Sequence, residues 1–382
     1  QKVARNRALQ LIGLGDVLNA DEYLSKSLNY PVDAGYKSQA LYWKAELAHR
    51  KKQYATSNDF LNKYATSART AANLPEEASP AMASYLSGYN YFKQKQYGNA
   101  QTSFEDAVNK IKRAGYKNEQ ISKIILADAV LRAGDCYLSK NNYNGALKYY
   151  NEAIDNKYNG HVYALFQSAI IKGLKGKKYD KAVDLQTLIE DYPKNEYADE
   201  ALFELGGTYQ ELNENEKAKK AFKTLVAEYK GKSDQINNAL LRLGLVYYNQ
   251  GDSKTAIEYY KQVLDNNPTK KESADALAAL EEIYVKDLGQ PDEYYAIQSK
   301  SGYNVTDAAR DSVNFQVAES QYENGNYDKA VLSYTNYISK YPKGFNTTTA
   351  YYHRGESYFQ LKDYENAKPD LEYALKANNS PY

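Results

Sequence analysis

Cysteine occurs once in the 382 residues, at Cys136, tryptophan once, at Trp43, and histidine three times, at His49, His161 and His353. A single cysteine excludes an intrachain disulfide and any cysteine-based zinc site. The histidines lie far apart, with no pair at the tight spacing of the familiar metal or metalloprotease motifs. Neither charge dominates: 49 Lys and Arg stand against 48 Asp and Glu, which argues against the basic footprint of a nucleic-acid-binding surface. No apolar run approaches the roughly 18 residues of a membrane-crossing helix. Glycine-rich phosphate loops are missing as well. Carboxylates are plentiful, but Glu214, Glu216, Asp252 and Glu365 read as turn and solvated-face residues, and no catalytic pair stands out. Cys136, beside Tyr137, reads as a small buried hydrophobe, and His353 as a partly exposed helical histidine. The reading is a chain with no cofactor, no metal and no catalytic residues. With no Met at its start and no signal-peptide pattern after Gln1, it reads as a processed or excised piece.

What the chain has instead is tyrosine, 41 residues against 9 Phe. An apolar ring with a polar tip suits a thin structure in which many aromatics reach solvent at one end. The tyrosines recur in order with small residues. One copy runs Leu240, Leu243, Gly244, Tyr247, Gly251, Ala256, Tyr260, Val263, and the last runs Tyr351, Gly355, Tyr358, Tyr364, Ala367, Leu371, Ala374. A marker alanine falls at Ala100, Ala146, Ala182, Ala218, Ala256, Ala330 and Ala367, with Ser57 in the same place earlier. The period is near 37, with a degenerate copy between Ala256 and Ala330.

Within each copy the apolar residues recur at three and four, the helical period. Polar turns such as Asn249-Gln250-Gly251-Asp252 split each copy into a helix A and a helix B. Glycine inside a helix costs about 1 kcal/mol relative to Ala, so Gly88, Gly134, Gly206, Gly244 and Gly355 need a packing reason: close approach of helix A to helix B. Gly206-Gly207 belongs to this set.

This pattern resembles the tetratricopeptide repeat, a helix–turn–helix unit, over roughly residues 38 to 376. Helix B often ends in Tyr-Pro, at Tyr192-Pro193 and Tyr341-Pro342, which is similar to repeats of Gram-negative cell-envelope proteins, the outer-membrane assembly lipoprotein and the Tol-Pal-associated type. The resemblance implies an all-α, right-handed solenoid of about nine hairpins over 1–382. It also implies a periplasmic or outer-membrane-associated location, with no membrane span in this stretch and no targeting segment in it. Segments 62–80 and 110–122 are irregular, with Gly115 ending a helix, and 272–304 holds the degenerate copy. The last turn, Ala377-Asn378-Asn379-Ser380-Pro381-Tyr382, reads as an inter-repeat connection with more repeats to follow.

In this repeat family certain helix A residues line a concave face. Fifteen residues before the marker come Tyr42, Tyr85, Leu131, Phe203, Leu241, Phe315 and Tyr352; eight before it come His49, Phe92, Leu138, Gln210, Tyr248, Tyr322 and Phe359. Positions seven apart share a helix face. Between them lie Glu46, Tyr89, Asp135, Glu319 and Glu356. The expected binding residues are Tyr42, His49, Tyr85, Tyr89, Phe92, Tyr248, Phe315, Glu319, Tyr322, Tyr352, Glu356 and Phe359, with the C-terminal copies the stronger segment. The same aromatics also suit packing of helix A on a neighbouring hairpin. The leading function is a non-catalytic scaffold binding a protein or peptide, its oligomeric state open. A carbohydrate-binding module, which one Trp weakens, and the accessory region of a cell-wall enzyme are the alternatives.

Overall fold

The computed structural model describes residues 1–30 and 32–377, so the expectation about Asn378 to Tyr382 lies outside the described residues. Among the described residues the chain forms twenty α-helices and no strand. They divide into two compact units, Gln1–Thr208 and Tyr209–Tyr382, where the sequence suggested one array.

The first unit holds α1 (Lys2–Gly13), α2 (Val17–Leu28), α3 (Ala34–Arg50), α4 (Tyr54–Ala68), α5 (Pro80–Lys93), α6 (Tyr97–Ala114), α7 (Leu126–Ser139), α8 (Tyr143–Asp155), α9 (His161–Leu174) and α10 (Lys178–Asp191). Helix α11 (Ala198–Glu211) carries the division. The second holds α12 (Asn215–Glu228), α13 (Ile236–Asn249), α14 (Ser253–Asp265), α15 (Lys270–Glu281), α16 (Pro291–Lys300), α17 (Asp307–Glu323), α18 (Tyr327–Lys340), α19 (Thr347–Gln360) and α20 (Tyr364–Lys376). Each unit is a stack of helical hairpins, an α-solenoid: α5 packs on α6, α6 on α7, α7 on α8, and α17, α18 and α19 follow the same rule.

One backbone feature sets the register. Every A-to-B turn passes through a left-handed residue five positions before the marker: Gly15, Lys52, Lys95, Asn141, Gly176, Asn213, Gly251, Gly289, Gly325 and Lys362. Counting from these turns corrects the sequence reading in three places. The N-terminal pair α1/α2 is a repeat, with Ala20 as its marker and Ala8 and Leu24 buried around it. In the hairpin α9/α10 the marker position is Lys181, one residue before Ala182. In the degenerate copy it is Tyr294, which is buried.

The marker positions bury fully or nearly so at Ala20, Ser57, Ala100, Ala146, Ala218, Ala256, Ala330 and Ala367. The small residue in helix A faces the large one in helix B. A β carbon on Gly88 would stand 2.7 Å from the Phe104 ring, and one on Gly244 would stand 2.6 Å from that of Tyr260. Phe104 and Tyr260 are buried there, and full burial of a Phe side chain contributes about 1.5–3 kcal/mol.

Helix starts follow local chemistry. Asp16, Asp33, Asn142, Asp252 and Asp363 each accept the N–H three residues on, satisfying one of the orphan donors of a first turn. The Tyr-Pro ends behave as read: α10 and α18 stop one residue before the tyrosine that precedes the proline. The irregular segments also take form. Helix α4 ends at Ala68, a loop leads to a 3-10 turn Glu76–Ala78, and α6 ends at a left-handed Gly115. A π-helical turn Gln120–Ile125 precedes α7, and another, Glu282–Asp287, follows α15.

Candidate binding groove

Helix α7 presents Asp128, Arg132 and Asp135 on one face, at spacings of four and three. Tyr85 and Tyr89 of α5 both donate to Asp128 Oδ2, at 2.8 and 2.5 Å. Arg132 Nε donates to Asp128 Oδ1 at 3.3 Å, and its Nη1 donates to Asp135 Oδ2. Asp135 Oδ1 accepts from Tyr150 of α8 at 2.7 Å and from Tyr163 of α9 at 2.9 Å. One helix face thus ties four helices together, and its guanidinium is held in a fixed plane by two carboxylates.

Burial, and then the neighbouring aspartates, push the phenols of Tyr85, Tyr89, Tyr150 and Tyr163 well above the usual tyrosine range. Burial raises the Asp135 carboxyl too, against the opposing pull of Arg132 and the two phenols. Cys136, next to Asp135, is fully buried, and burial pushes its thiol up to about 12. It therefore stays protonated and unreactive near neutral pH.

Two grooves flank this cluster and share Tyr85 and Tyr89. One, of about 510 Å³, runs over α3 and α5, with Tyr42, Trp43, Met82 and Leu86 among its lining. The other, of about 1090 Å³, runs over α7 and α9 and is lined by Arg132, Lys157, His161, Tyr163 and Glu196. Of the residues expected from the sequence, Tyr42, His49, Tyr85 and Tyr89 line the first groove, and the last two line both. Tyr42 is largely consumed by packing, 4 % exposed, with Trp43 edge-on at 5.2 Å and Tyr64 at 6.1 Å. His49 Nδ1 lies 2.7 Å from Asn90 Oδ1. Phe92 packs edge-on to Tyr97 and lies outside both grooves.

The other expected residues lie in the second unit, where they pack within hairpins and, at Tyr248, Glu319 and Tyr322, between them. Tyr248 donates to Asp287. Phe315 packs against Tyr334 and Tyr337. Glu319 accepts the Tyr334 hydroxyl at 3.1 Å and lies 2.8 Å from His353 Nδ1. Tyr322 donates to Glu356 at 2.5 Å and stacks on His353, with centroids 4.5 Å apart and 6° between planes. The Tyr352 ring lies 5.3 Å from that of His353, and Phe359 is 55 % exposed beside Tyr364. Glu319 and Glu356, expected among the binding residues, are engaged by these partners.

Sequence reasoning missed Trp43, Met82, Asp128, Arg132, Lys157 and Tyr163 as groove residues. The available signal was the broken period: both long steps, Ser57 to Ala100 and Ala100 to Ala146, fall where the first groove lies. Among the described residues no cluster of three His, Cys, Asp or Glu could hold a metal ion. Among the described residues no helix is long and apolar enough to cross a membrane.

Comparison with known proteins agrees with this architecture. Tetratricopeptide-repeat profiles match residues 127–159, 200–231, 238–270, 313–344 and 348–381. Those five stretches match tetratricopeptide repeats, which in general serve as protein–protein interaction scaffolds and are typically non-catalytic. No curated protein matches it. Among solved structures, the apo form of RapI is similar with a TM-score of 0.51 at 12% identity, covering 99% of this chain and 97% of that one. The C-terminal part of a TPR repeat-containing protein from Cytophaga hutchinsonii gives 0.45 at 15%, covering 81% and 98%. YrrB, described as a TPR protein with an unusual peptide-binding site, gives 0.40 at 20%, covering 54% and 92%. At such identity the likeness to RapI concerns the fold alone.

Proposed function

We propose that the protein is a non-catalytic scaffold that binds an extended peptide segment of a partner protein along the paired grooves of residues 1–208. The observation that carries this reading is that the two grooves share Tyr85 and Tyr89 as lining residues, beside a guanidinium held by two carboxylates. An extended chain fits such a surface by ring contacts and by side-chain hydrogen bonds to its backbone. A sugar-stacking surface is less well supported. Tyr85 and Tyr89 meet edge-to-face, the Tyr163 ring meets Tyr150 edge-on and lies under Arg132, and their hydroxyls are tied to carboxylates. Free aromatic faces, the usual platform for a sugar ring, are therefore scarce.

The Tyr-Pro-terminated repeats support a place in the bacterial cell envelope, on resemblance alone; fractionation of cells producing the full-length gene product tests it. The binding reading is tested by photo-crosslinking. A photoreactive phenylalanine at Lys157 or Glu196, both exposed in the groove, is expected to capture a partner, while the same residue at exposed Asn99 is not. Equal capture from all three positions would discard the groove.

A further inference from the structure

The sequence holds three Asn-Gly pairs, Asn144-Gly145, Asn159-Gly160 and Asn324-Gly325. Asparagine before glycine is open to attack from within the chain, because glycine has no β carbon to keep its backbone nitrogen away from the preceding side-chain amide. The attack needs two freedoms. The amide must swing onto the backbone, and the glycine N–H must be able to give up its proton. All three asparagines are exposed, so access to solvent does not separate them. Hydrogen bonding does.

Asn144 lies in the first turn of α8. Its Oδ1 accepts from Lys175 Nζ at 2.6 Å, and the Gly145 N–H donates to Asn142 Oδ1 at 3.0 Å. Asn324 caps the C-terminal end of α17. Its Nδ2 donates to the Ser320 carbonyl at 2.8 Å, and the Gly325 N–H donates to the Tyr322 carbonyl at 2.9 Å. Each of these pairs has both reacting groups held. In the third pair neither is held: among the described residues the Asn159 side chain, the Asn159 carbonyl and the Gly160 N–H have no hydrogen-bond partner. The two residues form the middle of a turn that the His161 N–H closes by donating to the Tyr158 carbonyl at 2.9 Å. Gly160 sits there at φ 85° and ψ 10°, the glycine position of a type II turn. The peptide between Asn159 and Gly160 can therefore rotate while the turn stays closed.

We propose that Asn159 is a site of spontaneous deamidation, the one Asn-Gly pair that the native chain leaves reactive. Hydroxide takes the proton of the Gly160 nitrogen, which attacks Asn159 Cγ and forms an N–C bond. The Cγ–Nδ2 bond breaks, and Nδ2 leaves as ammonia with a proton from water. Water then opens the cyclic imide. Breaking the bond from the Gly160 nitrogen to Cγ gives aspartate. Breaking the bond from that nitrogen to the main-chain carbonyl carbon of Asn159 gives isoaspartate, with the backbone rerouted through the side chain. One water is consumed and one ammonia released, with no oxidant and no enzyme. Asn159 lines the 1090 Å³ groove, which carries Arg132 and Lys157 against Asp128 and Glu196, so the product adds a third carboxylate there. The chemistry is independent of what the groove binds.

The test is to incubate the full chain in mildly alkaline buffer, once native and once in urea, and to follow the three sites by peptide mapping with mass spectrometry. In the native chain Asn159 is expected to convert roughly tenfold faster than Asn144 or Asn324, the order of factor that one net hydrogen bond represents. In urea the three rates should converge, because the bonds that protect the other two pairs are gone. Isoelectric focusing should show an early acidic shift of the native chain that is missing from Asn159→Gln, a change at an exposed position. Gly160→Ala is no control, because its β carbon would stand 2.6 Å from Leu131 Cδ1 at a positive φ. Equal rates at the three sites of the native chain would overturn the proposal. So would conversion in urea alone, a preference for Asn159 that persists undiminished in urea, or an acidic shift unchanged in Asn159→Gln. Should Asn159→Gln not fold, the peptide map of the native chain decides alone.

Discussion

Tyr150 lies so close to Gly134 that a β carbon on the glycine would stand 2.7 Å from Tyr150 Cε1. The glycine belongs to α7 and the tyrosine to α8, and the ring is fully buried between them. Helix propensity alone favours alanine at such a position by about 1 kcal/mol. Packing reverses the sign. Gly134→Ala should destabilise by about 1–3 kcal/mol, because the ring has no free space to move into. Gly207→Ala, where nothing lies within 4 Å of the added carbon, should stabilise by about 0.5–1 kcal/mol. Urea unfolding of both variants checks the pair, and a shift of the same sign in each would contradict the packing account.

Asp135 is the junction of the α7 face, taking two phenols and one guanidinium. Asp135→Ala leaves Tyr150 and Tyr163 without their shared acceptor and Arg132 with Asp128 alone, and should cost about 3 kcal/mol. Tyr150→Phe removes one hydrogen bond and should cost about 1 kcal/mol. If the network is real, the double variant should lose less than the sum of the two singles. Strict additivity in chemical denaturation would show that the groups act separately.

The pH dependence follows from the phenols. Burial raises Tyr85, Tyr150 and Tyr334 above the ordinary tyrosine value near 10, and the carboxylates beside them raise them further. A raised folded value means that the native state keeps protons that the unfolded chain gives up. The stability held by these groups is complete below about pH 10 and falls as pH climbs toward the folded values. Alkaline titration should therefore show a late, cooperative rise in phenolate absorbance that coincides with loss of the helix signal. A smooth rise with helix content unchanged would refute it.

Tyr322 was expected to be a groove ring that the fold could lose. Stacked on His353 and bonded to Glu356, it joins α17 to α19, and Tyr322→Ala should cost about 2–4 kcal/mol. Phe359→Ala, at a ring more than half exposed, should cost under about 1 kcal/mol. Thermal melts of the two variants decide between these roles; equal losses would return Tyr322 to the surface.

How far the candidate site could be read from the sequence follows from what kind of signal each residue leaves. A marker alanine repeats, so its burial was readable at Ala100, Ala146, Ala218, Ala256, Ala330 and Ala367. Lys181 hid its own position. Its aliphatic stem lies against Gly173, whose added β carbon would come within 2.7 Å of Lys181 Cδ, and its ammonium reaches Glu204 at 2.5 Å. A lysine can fill an alanine's place only when glycine opposite leaves room for the stem and a carboxylate meets the charge. Neither condition is local in sequence, so Ala182, the nearest small residue, was chosen instead. Tyr42 and Tyr85 stand at the same offset from their markers, yet one is core and the other is half in a groove, because the insertions rebuild the wall beside them.

Periodic contacts between helices adjacent in the chain are written into the sequence, because each uses residues at constant spacing: the helix pairs, their turns and the small-against-large packing of helix A on helix B. Tertiary structure alone decided which tyrosines present a surface and which are bonded to a carboxylate of another hairpin. It also decided that two irregular segments form one wall, where Glu76 accepts the backbone N–H groups of Lys117 and Asn118. Those outcomes depend on contacts between residues thirty to forty positions apart whose spacing does not repeat, and on how much space each neighbour leaves. A linear pattern carries neither quantity.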